Sequence, residues 1–505
     1  MGREGRRRSL VVFHHITDAQ LLDEESPLRA EWVDSCPEPL STTAFRPHEA
    51  LSLHLTASLI RQVNRVRSSP VTEAPVAFLV HTGNAADNAQ YNELRWFLDL
   101  MDGKPVNPDS GSPGYQGVQA ESPDGRDPDL LAEVQKAFVG QRLRFPWYAV
   151  VGNRDVLAQG NFAPDAAAAG IAVADQKLIR LSEARREEAC DDPSALLAPG
   201  FSAAALGDPE TIVRQVAADA NRRLLSRRDW IAEHFATAAS PGPVGHGFQQ
   251  ANLDAGTGYY LFEQGPLVFI ALDTVNPAGF SEGSVDVAQL GWLEEQLVAR
   301  SRRYFDRQGR EVTTGNEDRL VVILSHHPTE AMNNPLPDPA TQEERARGAF
   351  LEALLHRFPN VILHVAGHGH RNRIVPRPDS SRQTQGYWEV ATASPLDFPM
   401  QGRLLEIVDN ADGTLSVFST VYDLSAAADP DEARDPTDGD GVNEERLASV
   451  ARQLAVRDPQ LDVNAAGLAA SDRNVELLLP APFDSGPREA RRTRRELLRS
   501  LLPGR

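Results

Sequence analysis

Five apolar runs, each breaking abruptly into a short polar cluster, constrain this chain more than any other feature. Residues 10–16 run into Thr17-Asp18-Ala19-Gln20, and 75–80 lead to Gly83-Asn84-Ala85-Ala86-Asp87-Asn88. Residues 147–151 end at Gly152-Asn153-Arg154-Asp155, 320–324 at Ser325-His326-His327-Pro328, and 361–366 at Gly367-His368-Gly369-His370. Short, largely β-branched runs bounded by turn residues read as buried strands. In an open α/β sheet, ligands bind beyond the carboxyl ends of the strands. Five polar clusters at five such ends therefore predict one site assembled from distant parts of the chain.

The stretches between the runs have other periods. Apolar residues spaced by three and four predict helices over 48–66 and 89–101, with further helices at 130–139, 286–300 and 341–357. The 286–300 helix has acidic residues early and arginine late, as the helix dipole favours. Strands alternating with helices give an α/β fold. Strands predicted at 258–262, 267–272, 387–393, 402–409 and 415–421 include pairs with no helix between them, which adds an antiparallel component. Residues 103–128 read as a long loop, and the Ala-rich stretch 157–245 as a mainly helical insertion or cap. We expect one domain over 9–424. An acidic linker and a helical extension over 425–505 follow, with helices at 444–456 and 487–502.

Composition excludes some classes of function. A formal net charge of −20 over 505 residues argues against a broad nucleic-acid surface, which needs clustered Lys and Arg. No apolar stretch is long enough to span a membrane. The Arg-rich start enters Val11-Val12-Phe13 without an apolar leader or a small-residue cleavage site, so no signal peptide is expected and the location is taken as cytoplasmic. Cys36 and Cys190 are too few to form a disulfide framework and fit a reducing compartment. Asp435-Pro436-Thr437-Asp438-Gly439-Asp440 lacks the glutamate of a calcium loop and reads as linker.

Carboxylate, carboxamide and imidazole groups meeting at one sheet edge make a hard-to-borderline metal site. Two divalent ions about 3.5–4 Å apart can activate water and hold both oxygens of an in-line displacement at phosphorus. In their order and strand-end placement the five clusters resemble the calcineurin-like metallophosphoesterase superfamily. Its pattern runs Asp-x-His, Gly-Asp-x-x-Asp, Gly-Asn-His-(Asp/Glu), a His, then Gly-His-x-His, and the resemblance covers about residues 9–421. Among its members the chain looks closest to large actinobacterial-type proteins of unassigned substrate, in which a phrase like His14-His15-Ile16-Thr17-Asp18 opens the domain.

The resemblance implies a four-layer α/β/β/α sandwich and hydrolysis of a small phosphorylated substrate, mono- or diester, by a metal-bound water. It implies Asp18 and His370 at one metal and Asn153, His326 and His368 at a second. Gln20 stands where the family has a histidine ligand, Asn84 where it has the bridging aspartate, and Arg154 where it has a histidine near the leaving group. Catalytic work would fall to Asp18, Asn153 and Arg154. A glutamine oxygen in place of a histidine nitrogen favours Mn²⁺ or Mg²⁺, with Fe or Zn as alternatives, up to two ions per chain. Arg154 cannot act as an acid, but it can clamp phosphate oxygens. Asn84 removes a negative charge from between the metals, so low metal affinity or an empty site is expected. A phosphate- or nucleotide-binding protein with a decayed site is the alternative reading.

Overall fold

A computed structural model of the chain describes residues 3–35, 44–119, 129–191, 201–430, 443–461 and 467–483. Cys36, the Asp435–Asp440 stretch and the predicted helix at 487–502 lie outside them. Twelve strands form two main sheets, numbered here in chain order. They are β1 (Arg8–Ile16), β2 (Phe78–His81), β3 (Trp147–Ala149), β4 (Tyr260–Gln264), β5 (Leu267–Ala271) and β6 (Leu320–Leu324), then β7 (Val361–Ala366), β8 (Arg373–Arg377), β9 (Tyr387–Ala391), β10 (Gln401–Asp409), β11 (Thr414–Asp423) and β12 (Val475–Pro480).

The first sheet has the order β12-β11-β10-β1-β2-β3 and the second β8-β9-β7-β6-β5-β4. β1, β2 and β3 are parallel, as are β5, β6, β7 and β9. The remaining neighbours pair antiparallel. The five polar clusters thus follow parallel strands, three in one sheet and two in the other.

Alternation along β5 explains why its sequence is apolar throughout. Leu267, Phe269 and Ala271 belong to the core that contains Phe13 and Phe78 of the first sheet. Val268 and Ile270 point into a second core, with Leu293, Leu297, Leu351 and Leu355 of the helices Val287–Ala299 and Gly348–Leu355. Where the two sheets meet, the Phe269 ring lies edge-on to Phe13 and Phe78, with centroids 5.4 and 5.1 Å apart. Each such fully buried ring contributes about 1.5–3 kcal/mol. The helices Ser52–Arg65, Tyr91–Asp102 and Glu444–Val456 add Leu59, Phe97 and Leu447 to the first core. At the start of Val287–Ala299 the Asp286 carboxylate accepts from Gln289 N at 2.7 Å, a side-chain N-cap.

Two expectations need correction, and one needs detail. The mainly helical insertion also holds a strand pair: Gln176–Arg180 and Ile212–Gln215 form a small antiparallel sheet among its helices. The tail is not only helical, because β12 extends the first sheet beside β11, with Leu477 and Leu479 buried and Glu476 and Leu478 outward. That alternation is the period of a half-buried strand. Cys190 is disulfide-bonded, which fits an oxidising environment better than the reducing one expected from the cysteine count. No helix among the described residues is long and apolar enough to cross a membrane.

Candidate metal centre

The polar clusters converge, and their backbones are bent to do so. Asp18, Gln20, Asn84, His368 and His370 all have φ between 43° and 66°, the left-handed region. Asn, Asp and His enter it more often than other non-glycine residues, and such departures concentrate at functional sites. Glycines let the turns approach. A Cβ on Gly367 would lie 1.9 Å from Thr17 Oγ1, and one on Gly152 would lie 2.3 Å from Asn84 Oδ1. Asp155 ties two turns together. Its Oδ2 accepts from Asn84 N (3.0 Å) and Gly152 N (2.8 Å), and its Oδ1 from Ala85 N (2.8 Å) and Ala86 N (3.1 Å).

The orientation of each ligand is fixed from behind. His326 Nδ1 lies 2.8 Å from Thr82 O, and a carbonyl only accepts, so Nδ1 carries the proton and Nε2 presents a lone pair. Burial lowers the pKa of His326 and keeps it neutral. Asn153 Nδ2 donates to Gly160 O at 2.9 Å, which turns Oδ1 inward, 2.9 Å from His326 Nε2. Asp18 Oδ2 accepts from Thr17 Oγ1 and His368 N, both at 2.8 Å, and Oδ1 lies 3.4 Å from His370 Nε2. Burial acts to raise the Asp18 pKa, but His370 and His326 hold it far below the carboxylate range. Burial likewise opposes charge on His370, but Asp18 and Asp397 outweigh it and push the imidazole up to about 9. His370 Nδ1 bonds Asp397 Oδ2, so loss of the Nε2 proton leaves that nitrogen facing the pocket. His368 is pulled down to about 3 by burial and by His326.

Two expected ligands turn a donor to the pocket instead of an acceptor. Asn84 Oδ1 accepts from Arg154 N at 2.8 Å, so its Nδ2 faces inward. That nitrogen lies 2.9 Å from Asp18 Oδ1, 3.2 Å from Asn153 Oδ1 and 3.1 Å from His326 Nε2. Gln20 Oε1 accepts from Arg46 Nη2 at 3.2 Å, and its Nε2 faces His370 Nε2 at 2.8 Å. An amide nitrogen has no lone pair for a metal. Gln20 so placed offers no oxygen to a metal, and the preference for Mn²⁺ or Mg²⁺ expected from such an oxygen does not follow.

Arg154 sits at the pocket wall with Nη1 on Asp87 Oδ1 at 2.5 Å. One nitrogen from each of His326, His327 and His368 lies within 4.8 Å of the others. His327, however, spends both nitrogens on the fold, Nε2 donating to Ser281 O (2.9 Å) and Nδ1 accepting from Thr274 Oγ1 (2.8 Å). His14 and His15 are likewise bonded within the core, to Tyr422 and Val66 and to Thr82 and Thr392. His246 stacks on Trp147 with centroids 3.7 Å apart and bonds Thr237 and Trp147 O. Asp273 pairs with Arg227 at 2.6 Å. Sequence reasoning missed Asp397 and Arg46, whose Nε and Nη2 grip Asp397 at 2.6 and 3.0 Å. Asp397 follows β9 closely, so the strand-end rule that found the other clusters applied to it as well.

A cation fits this donor set at Asn153 Oδ1 and His326 Nε2. Asp18 Oδ1, Asn153 Oδ1 and His326 Nε2 all lie within 3.2 Å of one atom, Asn84 Nδ2, and acceptors converging on one point are a donor set a cation can use. His368 and Asp18 adjoin these atoms. The fit does not extend to a second cation bridged by residue 84.

No protein-family model and no curated protein matches the chain. Among solved structures, the purple acid phosphatase PPD1 from yellow lupin (Lupinus luteus) seeds aligns at a TM-score of 0.31 and 11% identity, over 82% of this chain and 52% of that one. The sulfate thiohydrolase SoxB of Thermus thermophilus aligns at 0.28 and 12%, over 83% and 57%. GAP50, the anchor in the inner membrane complex of Plasmodium, aligns at 0.29 and 9%, over 87% and 95%. The chain thus spans little more than half the length of the first two.

Proposed function

We propose that the chain is a metal-dependent phosphoesterase that carries one divalent cation at Asn153, His326 and His368, with Asp18 beside it. The observation that supports this most is the orientation of His326 and Asn153. His326 spends its one proton on Thr82 O and Asn153 donates an amide proton to Gly160 O, and each turns a lone pair toward the other. Two acceptors held 2.9 Å apart, neither with a proton for the other, suit a cation. The two sheets and their two cores support the four-layer reading of the scaffold.

When bound, a divalent cation neutralises phosphate charge and makes water more acidic. The chain does the rest. Arg154, braced by Asp87, sets a permanent positive charge at the wall to hold phosphate oxygens. His370, backed by Asp397, holds a proton on the side of Asp18 and can pass it to a departing oxygen. The substrate is a small phosphorylated molecule.

A second reading rests on the carboxamide of Asn84, which already bonds three of the expected ligands and suits a phosphate-binding protein that has lost turnover. Metal content of the purified protein, with Mn²⁺ and Zn²⁺ titrations and hydrolysis of an aryl phosphodiester and an aryl phosphomonoester, separates the two. One tightly held metal with turnover supports the first reading. No metal uptake and no turnover, with phosphate still bound, supports the second.

A further inference from the structure

We propose that Phe280 and Leu336 form an apolar platform at the mouth of the metal centre that takes a planar aromatic ring borne by the phosphoester. This rests on the phosphoesterase reading and names its substrate class.

Phe280 is held by two arms that reach the backs of residues at the site. On one side its backbone N–H donates to Asn161 O at 2.7 Å, and the adjacent Gly160 carbonyl accepts from Asn153 Nδ2. On the other side the adjacent Ser281 carbonyl accepts from His327 Nε2 at 2.9 Å, and the His327 ring lies 4.5 Å from that of His368. One residue of chain spans about 3.8 Å, so the Phe280 side chain starts within a substrate's length of both groups.

Leu336 is brought to the same place by the loop after β6. Asn276 Nδ2 donates to Leu336 O at 3.0 Å, and Asn334 Nδ2 donates to Gly279 O at 2.8 Å. The loops that follow β5 and β6 are therefore bonded together above the strand ends that present His326 and His327. Each carries one large hydrophobic side chain that is exposed, Phe280 at 42% and Leu336 at 40% exposure.

The backbone gives an independent reason. Phe280 has φ of 67°, a conformation a bulky aromatic residue rarely takes. Glycine or asparagine would suit the turn better, and neither offers a ring. A strained, outward-facing aromatic beside a polar pocket is an observed outlier, the proper starting point for such an inference. The polar pocket holds phosphate, and the ring holds the planar group attached to it, by stacking.

The test uses phosphonates, whose P–C bond is not hydrolysed, on the metal-loaded full chain. Methylphosphonate, phenylphosphonate and a nucleoside 5′-phosphonate are titrated by calorimetry into wild type, Phe280→Ala and Phe280→Trp. We expect wild type to bind at least one of the ring-bearing ligands about tenfold more tightly than methylphosphonate. Phe280→Ala should lose that preference while keeping its affinity for methylphosphonate, which shows the site intact, and Phe280→Trp should retain it. A preference confined to the nucleoside phosphonate identifies a nucleobase as the ring; one shared with phenylphosphonate identifies any aryl group. Equal binding of all three ligands by wild type, or a preference that survives Phe280→Ala, overturns the platform and leaves the phosphoesterase reading standing. Failure of wild type to bind any phosphonate overturns both.

Discussion

Replacing Asn84 by aspartate would exchange the Nδ2 that faces Asp18, Asn153 and His326 for an oxygen, while the other oxygen keeps the Arg154 N–H. Without metal, two carboxylates would then meet at the present 2.9 Å contact, so metal-free Asn84→Asp should unfold at lower temperature than wild type. With Mn²⁺ the repulsion becomes attraction. Metal analysis should give two ions per chain in place of one, with affinity raised about tenfold, equivalent to about 1.4 kcal/mol. Unchanged stoichiometry would show that residue 84 does not set the number of cations. A second test concerns His54, whose ring stacks on Phe138 at 4.7 Å and has no hydrogen-bond partner on either nitrogen among the described residues. Burial lowers its pKa to about 3. Because the folded value lies below the unfolded one, stability is lost as pH falls from about 6.5 toward 3, by about 2 kcal/mol at pH 5. Denaturant titrations of His54→Phe at pH 7 and pH 5 should show a smaller acid loss than wild type, and an equal loss refutes the assignment. Asn153 and His326 were legible in the sequence because both end apolar strands. The direction of the Asn84 amide was not, since a backbone N–H at Arg154, far along the chain, decides it.

At the scale of elements, the turns after β2 and β3 act as one piece because the single carboxylate of Asp155 accepts four backbone N–H groups. Asp155→Asn turns one oxygen into a donor facing other donors. Unfolding in urea should show a loss of about 2–4 kcal/mol, and metal affinity should fall with it, because Asn84 and Asn153 lose their common brace. An unchanged urea midpoint would mean that the turns are held elsewhere. Strands β6 and β7 coincide with the apolar runs because both faces are buried, and the one polar residue in the two, His364, is buried against Ser325 Oγ. β12 escaped notice for the opposite reason. Only Leu477 and Leu479 face inward, and two buried positions are a weak period against an acidic, Ala-rich background. The pair Gln176–Arg180 and Ile212–Gln215 was hidden likewise, since Lys177 is buried only through its bonds to Ser26 O and Glu31.

In the molecule as a whole, the tail beyond residue 424 is part of the sheet scaffold. The helix Glu444–Val456 buries Leu447, Ala448, Val450 and Ala451, and its first turn is bound by Arg61 of the helix Ser52–Arg65 through Glu444 and Glu445. A chain ending at Leu424 should lose several kcal/mol, on the order of one buried side chain's worth for each large apolar residue removed. Its thermal midpoint should fall by at least about 5 °C, and an unaltered midpoint would show the tail to be an independent unit. The order of the first sheet also sets a timetable. β1 begins at Arg8 and lies between β2 and β10, and its register pairs Arg8 with Asp409. A ribosome adding about 5–20 residues per second needs roughly 20–80 seconds to deliver that partner. Throughout that interval one edge of the nascent β1 offers unpaired backbone groups to any passing strand. A cell making this protein must therefore keep that edge from wrong pairing until β10 arrives.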